Sequence, residues 1–501
     1  MPAALVRVSA EALNAIEPEM VGRQCQLWDY TAIPVPALQL DTDFIAYSSP
    51  DSTYAVTKKF FDDATKSILI GIYDFTATYV SELLLQAMRR GVKVSLMLDL
   101  DNRNGETDLY QNLVDHGCDG VPSPSCATQN DAAYFASSHE KVIVIDDEWV
   151  LVQSGNYSDN SIPLNEKDGG DPDHFNPGNR DMGVAVRSKD LATFFTTVLR
   201  SDMKLELSGA PAAEALSESM LGQAVEAVFE AAPPEPPRDL FPSKPFNPKK
   251  AVTVQPILSP DNYMLEIPKW LRTAKKSVYI EQQYIRGDQD KIGECMKAIV
   301  DARDSSPDLD IRIILAKPFP GKRFDKEAQK IKDLNKLYGV KVGPQVRILS
   351  PKHFVHCHNK LIIVDDQAVL ISSQNWSDAA LVKNREAGLL LDYPDMAKHY
   401  SKIFESDWET AEKTLKKKAK AEFFGPESLG TGKTVPISPG DYVIFGDDQD
   451  FPPDKRRPAG ATGKAKPQRK KTTRAKGRAK STGRKRKAGA TTRRTRSAAQ
   501  P

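Results

Sequence analysis

The sequence predicts an α/β protein with two homologous lobes, each a mixed, mostly parallel sheet flanked by helices. Three observations predict this fold: several phrases occur twice, strand and helix patterns alternate within each copy, and a Pro-rich segment separates the copies. The chain has 501 residues, 40% hydrophobic and 27% charged, which is typical of a globular protein with about two to four domains. No apolar run approaches the ~20 residues that span a bilayer, so we expect no transmembrane helix.

The two copies are recognised by phrases that recur at nearly constant offsets. The offsets are 210, 219, 219 and 205 residues, so the first copy carries 14 extra residues before its last phrase. The matching phrases are, in order, Ser49-Pro50-Asp51 with Ser259-Pro260-Asp261, His139-Glu140-Lys141 with His358-Asn359-Lys360, Asn156 with Asn375, and Asn179-Arg180-Asp181 with Asn384-Arg385-Glu386. One internal duplication explains all four matches.

Strand and helix patterns alternate within each copy. In the first copy, residues 67–75 form an apolar strand pattern, residues 79–90 have helical spacing, and residues 92–98 form another strand pattern. Because a strand, a helix and a strand in succession form a crossover, this order predicts a parallel strand pair. The second copy repeats the order at residues 277–284, 291–302 and 311–315.

The segment between the copies is interpreted as a linker. The prolines of residues 231–250 disfavour a helix or a central strand. The predicted regions are an N-terminal extension at 1–44, a first lobe at 45–230, the linker at 231–250, a second lobe at 251–425, a C-terminal extension at 426–454 and a disordered basic tail at 455–501.

Each His-x-Lys phrase opens a predicted β-hairpin and carries the candidate chemistry. Alternation along a strand places the histidine and the lysine on one face, where an imidazole and an ammonium form an anion site. A serine and an asparagine that close each motif add hydrogen-bond donors, so the pocket would hold a phosphate group. These candidates are His139, Lys141, Ser154 and Asn156 in the first copy, and His358, Lys360, Ser373 and Asn375 in the second.

The two motifs resemble the signature of the phospholipase D superfamily, HxKx4Dx6 followed by two small residues, a variable residue and Asn. The chain reads HEKVIVIDDEWVLVQSGN from His139 and HNKLIIVDDQAVLISSQN from His358. This resemblance covers about residues 45–410 and implies a bilobal α/β fold with both motifs at the lobe interface. It also implies metal-independent phosphodiester cleavage through a phosphohistidine intermediate, without a cofactor.

The resemblance also implies a role for each candidate residue. One histidine attacks phosphorus and the other protonates the leaving alkoxide. The N-terminal histidine of similar enzymes is often the nucleophile, which favours His139 over His358, although pseudo-symmetry allows the reverse. An acid further along each copy orients an imidazole, and Asp181 and Glu386 fit this role. The expected phosphate ligands are Lys141, Lys360, Asn156, Asn375, Ser154 and Ser373. Asp146 and Asp365 are expected to stabilise the hairpins rather than to contact the substrate.

Several neighbouring residues have an open or structural interpretation. Gln153 stands where the superfamily prefers Gly, and we expect it to narrow that side of the pocket. Tyr157 and Trp376 follow the two asparagines and either wall the cleft or pack in the core. His356 is expected to line the pocket entrance rather than to bind a metal, because no carboxylate or second Cys lies at ligand spacing.

The charge is distributed unevenly along the chain. Residues 455–501 contain 19 Lys or Arg and no acid, so the remaining 454 residues carry 50 basic against 67 acidic residues. The tail has no aromatic residue and no Leu, Ile, Val or Met, which predicts disorder. We expect this tail to contact a polyanion, either nucleic acid or anionic lipid, although a purely solubilising role stays open.

The cysteines and the N-terminus suggest a cytoplasmic protein. Five cysteines are spread over the chain without a CxxC pair, so we expect reduced thiols, with a Cys118–Cys126 bridge as the less favoured alternative. The first residues lack the continuous apolar segment of a signal peptide. The GRKRK segment of the tail would allow nuclear import in a eukaryote. We expect a monomer whose two lobes form an internal pseudo-dimer.

These features favour a phosphodiesterase of phospholipase D type. The first hypothesis is hydrolysis of phospholipid headgroups, or phosphatidyl transfer to an alcohol, because the acidic body is ill suited to grip a nucleic-acid backbone. The alternative is a nuclease to which the basic tail delivers DNA or RNA. A third hypothesis, a nucleic-acid- or membrane-binding protein with a vestigial site, is disfavoured by the two intact motifs.

Overall fold

The computed structural model describes residues 25–100, 106–128, 132–205, 235–237, 239–318 and 324–415. The predicted C-terminal extension and basic tail lie outside these residues. Within the described part of the chain, no helix has the length and apolar character of a membrane-spanning segment.

The described elements comprise strands and helices that alternate along both lobes. The strands are β1 (Gln26–Leu27), β2 (Leu38–Leu40), β3 (Phe44–Ser49), β4 (Ser67–Ile72), β5 (Lys93–Leu98), β6 (Asp119–Pro122), β7 (Ala132–Ala133), β8 (Lys141–Ile145), β9 (Trp149–Gln153), β10 (Asp181–Arg187), β11 (Lys244–Phe246), β12 (Val252–Ser259), β13 (Ser277–Gln282), β14 (Asp310–Leu315), β15 (Val346–Ile348), β16 (Lys360–Val364), β17 (Ala368–Ser372) and β18 (Glu386–Asp392). The helices are α1 (Thr53–Asp63), α2 (Thr78–Arg89), α3 (Glu106–Asp115), α4 (Lys189–Asp202), α5 (Tyr263–Leu271), α6 (Asp290–Ser305), α7 (Phe324–Tyr338), α8 (Asp378–Val382) and α9 (Pro394–Thr410).

Two sheet-rich α/β lobes are confirmed. The first sheet has the order β11-β3-β10-β9-β8-β4-β5-β6, and the second has the order β15-β14-β13-β16-β17-β18-β12-β2. Parallel pairs occur within β4-β5-β6 and β13-β14-β15, and the other pairs of both sheets are antiparallel. The sheets are therefore mixed but mostly antiparallel, not mostly parallel, because hairpins and returning strands outnumber the crossovers.

Each sheet is completed by an edge strand from outside its own copy. Strand β2, from the predicted N-terminal extension, pairs with β12 of the second lobe, whereas β11, from the predicted linker, pairs with β3 of the first. Both segments also cap equivalent aspartates. Ile33 N donates to Asp261 Oδ1 at 2.8 Å, and Phe241 N donates to Asp51 Oδ2 at 3.2 Å. The two copies thus exchange their edge strands, and Pro245 is tolerated in β11 because that strand lies at an edge.

An apolar cluster joins the two lobes. It contains buried side chains of β9 and β10 together with those of β17 and β18. Removal of this apolar surface from water stabilises the docked lobes by about 25 cal/mol for each Å² buried. Its members from the four strands are Val150, Val152, Met182, Val184, Val186, Val369, Ile371, Ala387, Leu389 and Leu391.

The cysteine pairing differs from both sequence-based expectations. Cys25 forms a disulfide with Cys126, across a sequence separation of 101 residues, whereas Cys118 is a buried free thiol. Strands β1 and β7 pair beside this bond, so the N-terminal segment is fastened to the loop that precedes His139. The sequence does not indicate this pairing because it depends on the N-terminal segment returning to the first lobe. The expectation of reduced thiols is therefore wrong for Cys25 and Cys126.

We predict that the Cys25–Cys126 bond stabilises the fold. Cys25→Ser should lower the free energy of unfolding by about 2–4 kcal/mol, because the open chain gains conformational entropy when unfolded. Urea unfolding with and without a reductant measures this, and the variant should not respond to the reductant. Cys118→Ser is the control, since it keeps the bond and the sensitivity to reduction. A thiol titration of the denatured oxidised protein should find three of the five cysteines free; five free thiols would contradict the pairing.

Candidate active site

The two His-x-Lys motifs meet at the lobe interface through paired backbone segments. His139 N donates to Arg385 O at 2.7 Å, and Arg385 N donates to Ser137 O at 2.8 Å. The pseudo-symmetric contacts are His358 N to Arg180 O at 3.1 Å and Arg180 N to His356 O at 2.8 Å. Each motif therefore begins beside the Asn-Arg-acid phrase of the other lobe.

This arrangement pairs each histidine with a carboxylate of the opposite lobe. His139 Nδ1 lies 2.8 Å from Glu386 Oε2, and His358 Nδ1 lies 2.9 Å from Asp181 Oδ1. The acids are those expected from the resemblance, but the pairing crosses between the repeats. When the partner acid is ionised, it accepts the Nδ1 proton, and Nε2 of the neutral imidazole then keeps its lone pair.

The two motif serines bind the carboxylates. Ser154 Oγ donates to Asp181 Oδ1 at 2.6 Å, and Ser373 Oγ donates to Glu386 Oε2 at 2.6 Å. In this structure each hydroxyl proton is therefore directed at an acid, and the expected phosphate contact of Ser154 and Ser373 stays a prediction.

The lysines and asparagines of the motifs form the buried polar lining of the site. Lys141 and Lys360 are fully buried, and Lys141 Nζ donates to His139 O at 2.6 Å. Asn156 is also fully buried, and neither its Nδ2 nor its Oδ1 has a hydrogen-bond partner among the described residues. Asn375 Oδ1 is likewise unpartnered. Since a buried amide without a partner is costly, these groups indicate a place for a polar ligand.

Burial and the neighbouring cations keep the imidazoles neutral. Burial, followed by Lys141 and Lys360, holds the pKa of His139 well below its usual range. Burial, followed by Lys360, lowers the pKa of His358 to about 4. Burial also lowers the pKa of Lys141 to about 7. A bound anion would oppose these shifts, because it stabilises the charged forms of all three groups.

The two carboxyl groups differ in their protonation. Burial raises the pKa of Glu386 to about 8. Burial also acts to raise the pKa of Asp181, but the charge and hydrogen bond of His358, with Lys360 and Ser154, outweigh it and the net shift is downward. Asp181 therefore stays ionised to a lower pH than Glu386.

The site is asymmetric beside the two histidines, and the spacing of the motifs does not indicate this difference. The Tyr73 ring lies 4.8 Å from the His139 ring, and Lys141 Nζ lies 5.4 Å from the Tyr73 centroid. The equivalent position in the second lobe, at the 210-residue offset, is Gln283, whose Nε2 lies 3.4 Å from His356 Nε2. His139 is 7% exposed whereas His358 is fully buried, so solvent reaches the first imidazole more readily.

The structure also resolves the open interpretations around the motifs. Tyr157 and Trp376 are fully buried in the core and do not wall the cleft; Trp376 Nε1 donates to Tyr263 OH at 2.9 Å. Gln153 accepts a hydrogen bond from Tyr47 OH and donates to Gly155 O at 2.8 Å, so its amide lies within the lobe.

The motif aspartates lie at the hairpin turns rather than at the histidines. Asp146 accepts hydrogen bonds from Thr65, Lys66 and Ser67, and Asp365 accepts bonds from the equivalent backbone of the second lobe. Among the residues described, no group of three His, Cys, Asp or Glu has the arrangement of a metal site.

Comparisons with known proteins agree with the arrangement of two motifs. The family profile "Cardiolipin synthase, PLD-like domain" matches residues 58–202 and 267–408. The structure of a phosphatidylserine synthase from Haemophilus influenzae Rd KW20 has a TM-score of 0.53 and 13% identity, and the match covers 76% of this chain and 90% of that chain. A comparison with curated protein sequences returned no match.

Two smaller structures each match about a third of the chain, which is close to the length of one lobe. Nuc from Salmonella typhimurium, a phospholipase D family member, has 20% identity and a TM-score of 0.27, with 32% of this chain and 93% of that chain covered. NucT from Helicobacter pylori has 20% identity and a TM-score of 0.26, with 32% of this chain and 98% of that chain covered.

The low pKa of His358 predicts a loss of stability in acid. The folded-state pKa is about 4, whereas the unfolded value is about 6.5, so the unfolded chain binds more protons between these values. The contribution of neutral His358 to the free energy of unfolding is fully present above pH 6.5. Roughly 3 kcal/mol of it is lost as the pH falls to 4. Urea unfolding of His358→Asn should therefore show a shallower loss over this range.

His174→Asn is the matched control, because the His174 side chain is 85% exposed. It should keep the wild-type slope of unfolding free energy against pH. Equal slopes in all three proteins would contradict the burial of a neutral imidazole at His358.

Proposed function

Because this chain belongs to the phospholipase D superfamily, we propose that it cleaves phosphodiesters through a phosphohistidine intermediate, with phospholipid headgroups as the substrate class. The observation that carries the proposal is the pair of buried imidazoles, each oriented by a carboxylate at 2.8–2.9 Å from the opposite lobe. Beside them lie two buried lysines and the unpartnered amide of Asn156. Together these groups supply a nucleophile, an acid and a cationic cradle for one phosphate.

The proposed reaction proceeds in two displacements. His139 Nε2 attacks phosphorus while the bond to the leaving oxygen breaks, and His358, as an imidazolium, gives that oxygen its proton. His358 then takes a proton from water or an acceptor alcohol, whose oxygen attacks phosphorus and releases His139. The asymmetry of the site supports this assignment of roles: His139 is the more exposed imidazole, and His358 lies beside Asp181, the acid whose pKa is lowered.

Charge and resemblance support a phospholipid substrate. Outside the basic tail, the chain carries 50 basic against 67 acidic residues, which disfavours a surface that follows a nucleic-acid backbone. The description of the matching family profile names cardiolipin synthase, and one structure with a similar fold is that of a phosphatidylserine synthase. Headgroup hydrolysis and transfer to an alcohol use the same first displacement, and the acceptor decides between them.

A nuclease is the second candidate, and the basic tail is the observation that favours it. Its 19 cations could bind a nucleic acid and bring it to the site. On this alternative, activity depends on the tail and falls steeply as salt is raised.

The substrate class is tested by assaying both substrates in EDTA. We expect wild-type protein to release headgroup from phosphatidylcholine vesicles, and His139→Asn and His358→Asn each to lose at least about 10²-fold of this activity. His174→Asn, at an exposed position, should keep it. Scission of single- or double-stranded DNA that requires both histidines, without headgroup release, would instead establish the nuclease.

The roles of the two histidines are tested with a p-nitrophenyl phosphodiester, whose leaving group departs without protonation. His358→Asn should release one equivalent of nitrophenolate in a burst and then stall as the phosphohistidine, whereas His139→Asn should show no burst. Stopped-flow absorbance and intact mass at neutral pH measure these steps. A burst in His139→Asn alone would exchange the two assignments.

A further inference from the structure

Two fully buried arginines directly precede the acids that hold the histidines. Arg180 precedes Asp181, and Arg385 precedes Glu386. The Arg180 guanidinium lies 4.3 Å from the Phe354 ring, and that of Arg385 lies 4.4 Å from the Phe135 ring. The hydrogen bonds of both guanidinium groups go to aspartates and other groups away from the histidine side chains, so we class neither arginine as catalytic.

The Arg385 guanidinium connects the two lobes. Its Nε and Nη2 donate to the two oxygens of Asp202 at 2.8 and 3.0 Å, and Asp202 ends α4 of the first lobe. Its Nη1 donates to Asp261 Oδ2 at 2.6 Å, in the second lobe. Tyr30, from the exchanged N-terminal segment, accepts from Nη2 at 2.7 Å.

Arg180 makes the pseudo-symmetric connection. Its Nη2 donates to Asp407 Oδ1 at 2.9 Å, in α9 of the second lobe. Its Nη1 donates to Ser49 O at 3.0 Å and to Asp51 Oδ2 at 3.3 Å, in the first lobe. Asp51 and Asp261 belong to the repeated Ser-Pro-Asp phrase. In each lobe, therefore, the arginine of the Asn-Arg-acid phrase binds the aspartate of the Ser-Pro-Asp phrase.

We propose that Arg180 and Arg385 are positioning residues, each of which locks the two lobes together so that the next residue's carboxylate stays within hydrogen-bond distance of the opposite lobe's histidine. The backbone links each arginine directly to the histidine of the opposite lobe. The carbonyl of each arginine accepts from the backbone N–H of the histidine that its neighbouring acid contacts, at 2.7 Å for Arg385 and 3.1 Å for Arg180. A shift of the guanidinium would move this carbonyl and the adjacent carboxylate together.

The proposal rests on the proposed function for its kinetic consequence. Arg385 acts through Glu386 on His139, the proposed nucleophile, and Arg180 acts through Asp181 on His358, the proposed acid. The two arginines should therefore affect different steps. A loss of general stability would instead slow both steps alike.

The test compares Arg385→Lys and Asp202→Asn with Arg180→Lys and Asp407→Asn. Lysine keeps the charge but loses the planar bidentate contact of the guanidinium. The Asp→Asn variants weaken the same contact from its other side, so the residues adjacent to Asp181 and Glu386 stay unchanged. The first pair should slow the nitrophenolate burst by about 10–100-fold, as for partners that orient metal-ligating histidines. The second pair should keep the burst but slow cleavage of an alkyl phosphodiester by a similar factor.

Tyr400→Phe is the matched control. Tyr400 OH donates to Gly183 O at 2.7 Å, a buried bond between the lobes that involves neither arginine. This variant should lower stability in urea without changing the ratio of burst rate to alkyl-ester rate. If the arginine variants also leave this ratio unchanged, or slow both substrates equally, the proposal is overturned and the arginines are structural.

A spectroscopic measurement separates this proposal from the proposed function. The downfield Nδ1-proton resonances of the two histidines are assigned with His139→Asn and His358→Asn. Arg385→Lys and Asp202→Asn should shift or abolish the His139 resonance only, and the other pair should affect His358 only. This result would support positioning even if wild-type protein cleaved no phosphodiester, whereas unchanged resonances would overturn it.

Discussion

The crossed histidine–carboxylate pairs are the constraint on which the rest of the structure depends. Each imidazole belongs to one lobe and its carboxylate to the other, at 2.8 and 2.9 Å. Neither lobe alone contains an oriented imidazole, so the site exists only when the lobes dock in one register. This explains why the apolar cluster, the exchanged edge strands and the buried arginines all meet at the same interface. Each of these features fixes that register by a different kind of contact.

The interface buries many charges, and their pairing decides the chemistry of the site. Each buried arginine faces two aspartates, which offsets much of the cost of removing these charges from water. The environment of Lys141 and Asn156 is different, because burial lowers the pKa of Lys141 to about 7 and Asn156 lacks a partner among the described residues. These groups are poorly satisfied in the free protein. An anionic phosphate would satisfy them, so the same burial that is costly in the free site favours the bound ligand.

The pseudo-symmetry is broken around the two histidines. Tyr73 covers the His139 side, whereas Gln283 and His356 occupy the other side. The carboxyl groups also differ, with the pKa of Glu386 raised to about 8 and that of Asp181 lowered. The Cys25–Cys126 bond fastens one exchanged segment, and the other contains no cysteine. A duplicated site with these differences can divide attack and proton transfer between its halves.

The sequence by itself determined the duplication, the two α/β lobes and the motif residues, because repeated phrases and strand periodicity are local properties of the chain. It did not determine which acid meets His139, because Glu386 lies 247 residues away and reaches it only after the lobes dock. The same reason explains the hydrogen bonds of Ser154 and Ser373 to the acids, the unforeseen Cys25–Cys126 bond and the contacts of Arg180 and Arg385. The predominance of antiparallel pairs was also decided by tertiary structure, since strand order depends on which segments return to an existing edge. Contacts between distant segments depend on how the lobes pack, and that packing is not encoded in the spacing of any single motif.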